Sequence, residues 1–295
     1  MNIFTNTQYA KSAALYPNNS GINAEPLTED NKQEALMFLS LHPVNTVILS
    51  GWIRDHGIVS PKHRGTYYGC RNDNGDLTGV AIIGPNLLFE ATTDDAVGAF
   101  AQCARECPDV RMIFAKKEEL DIFWRHYRPE VEMPEPSTQR LIRSGGPISS
   151  NVEIINELRI ANADDLDQIV SAHAEMVFAE TGVDPLATDA DGFRTRCAAR
   201  VDVGRVWVWM KEGELVVKTD IIGDTPEAVY LEGLWVNPKE RGKRISTRCM
   251  ASLSEMFTKE SKTVCGFVDA DHVLADSLYR NAGFTDFAEY AKVYV

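Results

Sequence analysis

Apolar positions along the chain fall into two kinds of run. Short stretches rich in Val, Ile, Leu, Tyr and Phe, bounded by Gly, Pro, Asn or Asp, read as strands. They cover residues 65–71, 77–83, 87–91, 110–115 and 139–143 in the first half, and 157–160, 205–211, 214–222, 229–236 and 263–268 in the second. Other segments put apolar residues on one helical face. The clearest is Ile245, Cys249, Leu253 and Met256, spaced four, four and three. Further helices are expected at 29–41, 44–54, 94–107, 118–127, 163–180, 191–201 and 274–281. His42-Pro43 stops the first of them, because the residue before proline avoids the helical region. Asn74-Gly75 is a hairpin turn. Residues 284–295 supply final strand material with a turn or bulge inside, and residues 1–25 a loosely ordered lead-in.

The second half therefore reads β, α, α, β, β, β, α, β, α, β, and the first half α, α, β, β, β, α, β, α, β. No residue-level repeat is visible, but the order of elements repeats. Ser144-Gly145-Gly146-Pro147 is the clearest linker. It suggests domains at 1–144 and 152–295, joined by 145–151. The fold class is α+β: a mixed, mostly antiparallel twisted sheet flanked by helices in each half.

Composition narrows the function. The 295 residues are 44% hydrophobic and 25% charged, an ordinary globular balance. The net charge of −13 argues against nucleic acid as a partner, which needs a basic face. It suits a cationic substrate such as an amine. No signal-peptide pattern opens the chain and no apolar run approaches a membrane span. Cys70, Cys103, Cys107, Cys197, Cys249 and Cys265 form no C-x-x-C pair and read as reduced thiols, so a cytoplasmic location without a membrane partner is expected. His173, with Glu175 and Glu180, does not make a zinc signature, and no metal is expected.

The densest chemistry lies in residues 229–258. The strand run is stopped by Asn237-Pro238, and a basic loop from Lys239 to Arg244 leads into the helix of Ile245. Strand, tight loop and helix aim unpaired N–H groups and a positive dipole end at an anion. Arg241, Lys243 and Arg244 stand at that turn in an otherwise acidic chain. The physical reading is a phosphate-binding turn. Its counterpart in the first half, Glu90-Ala91-Thr92-Thr93-Asp94-Asp95, has carboxylates instead, which would repel a pyrophosphate. The first half is thus expected to keep the architecture without the cofactor.

Arg241-Gly242-Lys243-Arg244-Ile245-Ser246 resembles the motif A loop, Gln/Arg-x-x-Gly-x-Gly/Ala, of the GNAT acetyltransferase superfamily. Arg244 stands where the family has Gly, and Ser246 where it has Gly or Ala. The family's Gly lets the backbone approach the pyrophosphate of acetyl-CoA. Arg244 either leans outward as an added donor or weakens the site. Ala275, Leu278, Tyr279, Gly283 and Phe284 match motif B, A-x-x-L-Y-x-x-x-G-F, at every marked position. The chain as a whole resembles two GNAT domains in tandem, the first degenerate.

The resemblance implies an N-acetyltransferase that uses acetyl-CoA as donor and an amine of unknown identity as acceptor. The amides of Arg241, Gly242, Lys243, Arg244, Ile245 and Ser246 would hold the pyrophosphate, with Ser246 helping to cap the helix. Gly233 marks a bulge that frees the edge near Leu234, Trp235 and Val236 for the pantetheine arm. Glu232 corresponds to the family's base; the alternative is a carboxylate paired across the sheet. Tyr279 corresponds to the acid that protonates the departing thiolate; the alternative is a packing aromatic. His272 stands where relatives carry Asn against the pantetheine arm; the alternative is a solvated loop histidine. The acceptor would lie near 180–191. A non-catalytic acyl-CoA-binding module is the competing reading, and an aminoacyl transferase on a tandem scaffold a third, disfavoured by the acidic charge.

Overall fold

The computed structural model describes residues 23–295, so the expected lead-in lies, up to residue 22, outside the described residues. The described chain forms two compact units, neither contiguous in sequence. Unit 1 runs to Leu141 and includes Asp269–Asp271 and Ala288–Val295; unit 2 comprises Ile142–Val268 and His272–Phe287. A cut at residues 145–151 would therefore separate residues 288–295 from the unit to which they belong.

In unit 1, β1 (Ala24–Pro26), β2 (Thr66–Arg71), β3 (Leu77–Ile83), β4 (Asn86–Ala91) and β5 (Met112–Lys116) lie side by side in that order. The chain's last strand, Phe284–Tyr294, then pairs antiparallel with β5 from Tyr290 to Tyr294. Helices α1 (Lys32–Leu39) and α2 (Val47–His56) cover one face of the sheet, and α3 (Asp94–Arg105) and α4 (Lys117–Tyr127) the other. On β3, Val80 and Ile82 pack with Leu39 and Ile53, while Ala81 and Ile83 belong to the core of Phe100 and Phe123. Burial on both faces is why this strand reads as a continuous apolar run. Thr93 caps α3 by accepting from the Ala96 N–H, and Asp94 and Asp95 suit the positive end of its dipole.

Unit 2 takes up β6 (Ser137–Ser144) at Ile142 and continues with β7 (Arg159–Ile160), α5 (Leu166–Thr181), α6 (Pro185–Asp202), β8 (Val206–Lys211) and β9 (Glu214–Asp224). There follow β10 (Ala228–Val236), α7 (Ile245–Lys259), β11 (Thr263–Asp269), α8 (Val273–Asn281) and β12 (Phe284–Tyr294). Its sheet runs β6-β11-β10-β9-β8-β7. Pairing is antiparallel from β10 to β7, and β10–β11 is parallel, joined through α7. Unit 1 has the same device in β4–α3–β5, with β4 and β5 parallel.

The final segment forms a single strand, Phe284–Tyr294. Two sequence expectations need correction. On α7, Ile245, Cys249 and Leu253 are buried as expected, but the face continues through Phe257, while Met256 is only half-buried. Helix α6 also starts earlier than the sequence suggests. Asp184 caps it at Leu186, and Asp189 breaks it and caps Gly192 anew.

Candidate functional site

The site is built on β10. Its pairing with β11 covers only Ala228, Tyr230 and the Val229 between them, whereas on the β9 side pairing continues to Val236. The stretch from Leu231 to Val236 thus presents one edge without β11. Between Glu232 and Trp235 the register with β9 shifts, and Gly233 adopts φ +66°. This is a bulge at a position where a side chain would be strained.

After β10, Asn237 caps a short helical turn at Pro238–Glu240 by accepting from the Lys239 N–H. The chain then reverses through Gly242, at φ +81°, and Arg244, at φ 56° and ψ 24°. The family's preference for Gly at position 244 therefore has a second physical reason: the turn needs a left-handed residue there, as well as room for a ligand. Arg244→Gly is expected to raise the stability of unit 2 by about 0.5–1 kcal/mol, read as a higher urea midpoint; relief of left-handed strain exceeds the added chain entropy. An unchanged midpoint would show the turn to be unstrained. The first turn of α7 has no side-chain cap: Arg244 holds the cap position, and Ser246 is the second helical residue rather than a cap. Its leading N–H groups are left for another acceptor.

A cavity of about 310 Å³ opens beside this turn, lined by Glu175, Met176, Leu234, Val236, Arg241 and Ser246, with Trp235. Glu175 of α5 organises its mouth. One carboxylate oxygen lies 3.3 Å from Nη2 of Arg241, and the other accepts from the Trp235 indole at 3.0 Å. Arg241 also donates from Nε to the Val236 carbonyl at 3.2 Å. Lys243 pairs with Glu240 at 2.8 Å. Arg244 is exposed, and among the described residues its guanidinium has no hydrogen bond or ion pair; its carbonyl accepts from the Arg248 N–H at 3.0 Å. An anion entering here meets Arg241 through competition with Glu175, and all six loop residues from Arg241 to Ser246 border the same turn.

Glu232 is exposed on the bulge, and among the described residues its carboxylate has no partner. Surrounding protein nevertheless desolvates it and pushes its pKa above the ordinary range, while Arg200 opposes the shift and Asp220 reinforces it. Water access limits how large this effect is. Beneath it lies a group that sequence reasoning missed: Lys218 and Asp220 of β9, paired at 2.7 Å and both almost wholly buried. Two opposite charges at alternate positions inside the apolar run LVVKTDII were the available signal. His173 stands 3.5 Å from Lys218, and burial beside that ammonium lowers its pKa to about 4.

Tyr279 is half-buried against the α7 core, edge-on to Phe284 at 5.6 Å. Burial raises the pKa of its phenol, so it stays protonated at neutral pH and able to donate. His272 caps α8, its Nδ1 accepting from the Ala275 N–H at 3.2 Å. Tyr279 and Glu232 both act electrostatically on Tyr230 of β10.

The corresponding turn of unit 1 is occupied differently. Glu90, at the end of β4, is buried and accepts from Lys116 and from His42, each at 2.8 Å. Lys116 also reaches Glu119 at 3.5 Å, whose second oxygen is buried without a partner among the described residues. Among the described residues there is no group of side chains able to hold a metal ion, and no helix long and apolar enough to cross a membrane.

Residues 171–284 match the model of the acetyltransferase (GNAT) family. No curated protein matches the chain in sequence. Solved structures share the fold over nearly the whole chain. A GNAT-family acetyltransferase from Colwellia psychrerythraea aligns with a TM-score of 0.61 at 14% identity, over 92% of this chain and 98% of that one. A tandem GNAT protein from the clavulanic acid biosynthesis pathway aligns with a TM-score of 0.57 at 13% identity, over the same shares. A GCN5-related N-acetyltransferase from Sphaerobacter thermophilus gives 0.54 at 10% identity, over 93% and 95%. The chain thus carries a match to the GNAT family model over residues 171–284 and, over nearly its whole length, the fold of GNAT structures, a tandem one included.

Proposed function

We propose that the protein is an N-acetyltransferase that moves an acetyl group from acetyl-CoA to an amine, with unit 2 as the working half. The observation that supports this most is the geometry of β10: a strand edge free of β11 from Leu231 onward, interrupted by a bulge and leading to an uncapped helix N-terminus flanked by three cations. The loop amides, with Arg241, Lys243 and Arg244, would bind the diphosphate. The free edge near Leu234 and Val236 would pair with the pantetheine arm as an added strand. A thioester supplies an activated acyl group. A backbone N–H of β10 would donate to its carbonyl oxygen. Glu232 would take the proton from the acceptor ammonium, and Tyr279 would give one to the departing thiolate. The acceptor would approach between the end of α5 and the start of α6, near Glu180. It is a small-molecule or peptide amine acting by direct attack, without a covalent enzyme intermediate.

Calorimetric titration with acetyl-CoA tests the seat. The wild-type protein should bind, and Arg241→Ala should weaken binding about tenfold through loss of a charged hydrogen-bond donor. Equal affinities in the two proteins would remove the diphosphate from this turn.

A further inference from the structure

Asp220 is the direct partner of Glu232 across β9 and β10, so the two carboxylates project from the same face of the sheet. They live in opposite surroundings. Asp220 is buried, and its Oδ2 accepts from Lys218 at 2.7 Å and from Arg200 of α6 at 3.4 Å. Lys218 is in turn held near His173, which stacks on Phe193 with ring centroids 5.3 Å apart. Glu232 faces water without a partner among the described residues.

The same Asp220 oxygen sits under the bulge. A Cβ on Gly233 would come within 2.9 Å of it and 3.5 Å of Lys218 Nζ. Thr219, between the two charged residues, donates from its hydroxyl to the Glu232 carbonyl at 3.0 Å. The backbone that carries Glu232 is thus held by the Thr219 hydroxyl, while Asp220 and Lys218 close the space beside Gly233. A buried ion pair contributes little net stability compared with apolar side chains of the same size. What these charges do that apolar ones cannot is hold one carboxylate beside another in a defined field. Paired acids in unlike environments take different protonation roles.

We propose that Asp220 is a positioning residue for Glu232: clamped by Lys218 and Arg200, it fixes the Gly233 bulge and sets the field in which the Glu232 carboxylate takes up a proton. This rests on the reading of Glu232 as the proton acceptor. The charged or titratable groups that bear on Glu232 are Arg200 of α6, Asp220 and Lys218 of β9, Glu180 of α5 and Tyr230 of its own strand. Arg200 and Lys218 favour the ionised form, and Asp220 and Glu180 the protonated one.

The test is a carbon-13 NMR pH titration of glutamate-labelled protein without cofactor or acceptor, with the Glu232 resonance assigned by its loss in Glu232→Gln. In Asp220→Asn the Glu232 midpoint should fall by about one pH unit, and in Arg200→Gln it should rise by a similar amount. Arg200 is half-exposed, so its variant keeps the test available if Asp220→Asn fails to fold. A Glu232 midpoint that stays put in every variant that folds overturns the proposal. Because the readout needs no acetyl-CoA, a failed cofactor titration would remove the enzymatic reading while leaving this coupling measurable.

Discussion

Lys218→Met is expected to destabilise unit 2 by about 3–5 kcal/mol, the cost of stranding a buried carboxylate. Lys218 is 1% exposed and is the nearest cation to Asp220; Arg200, at 3.4 Å, is a weaker and half-exposed substitute. The double variant Lys218→Met with Asp220→Leu should recover more than half of that loss, since removing both charges also removes the unpaired one. Urea unfolding followed by tryptophan fluorescence reads the effect, because Trp207, Trp209 and Trp235 all lie in unit 2. A single variant no less stable than wild type, or a double variant worse than the single, would contradict the arrangement.

Glu119→Gln should stabilise unit 1 at neutral and alkaline pH, but not in acid. Burial lifts the Glu119 pKa from 4.5 to about 7, only partly offset by Lys116. The folded form therefore holds its proton where the unfolded chain has lost it. The favourable contribution is complete below pH 4.5, declines as pH rises from 4.5 to 7, and is gone above that. The glutamine variant escapes this decline. Its advantage over wild type should grow from nothing near pH 4.5 to about 3 kcal/mol at pH 8, given 1.36 kcal/mol per pKa unit. Denaturation midpoints at the two pH values measure it, and a difference that does not change with pH would exclude Glu119 as the source.

Much of the architecture could be read from local pattern. Strands β2 to β5 of unit 1 appear in apolar runs that need no tertiary information, and α7 declares itself through Ile245, Cys249 and Leu253. The basic turn and the bulge were legible because glycine, proline and arginine there have few other uses. What stayed hidden depends on contacts between distant segments. Lys218 and Asp220 look like ordinary strand polar residues until β10 places Gly233 over them. Glu175 belongs to a helix 66 residues away from Arg241, and no periodicity connects them. The three-residue β1 is too short for any pattern to show, and it exists because β2 offers it an edge. Arg244 illustrates a different limit: a turn can force a left-handed shape on a residue that shows no preference for it.

The return of residues 288–295 to unit 1 has a bearing on biosynthesis. The portion translated first cannot finish its sheet until the stretch from Tyr290 to Tyr294, made more than 170 residues after β5, has left the ribosome. Unit 2 has no such wait. Translation order and order of completion are thereby reversed, and the nascent chain carries an open strand edge at β5 for most of its synthesis.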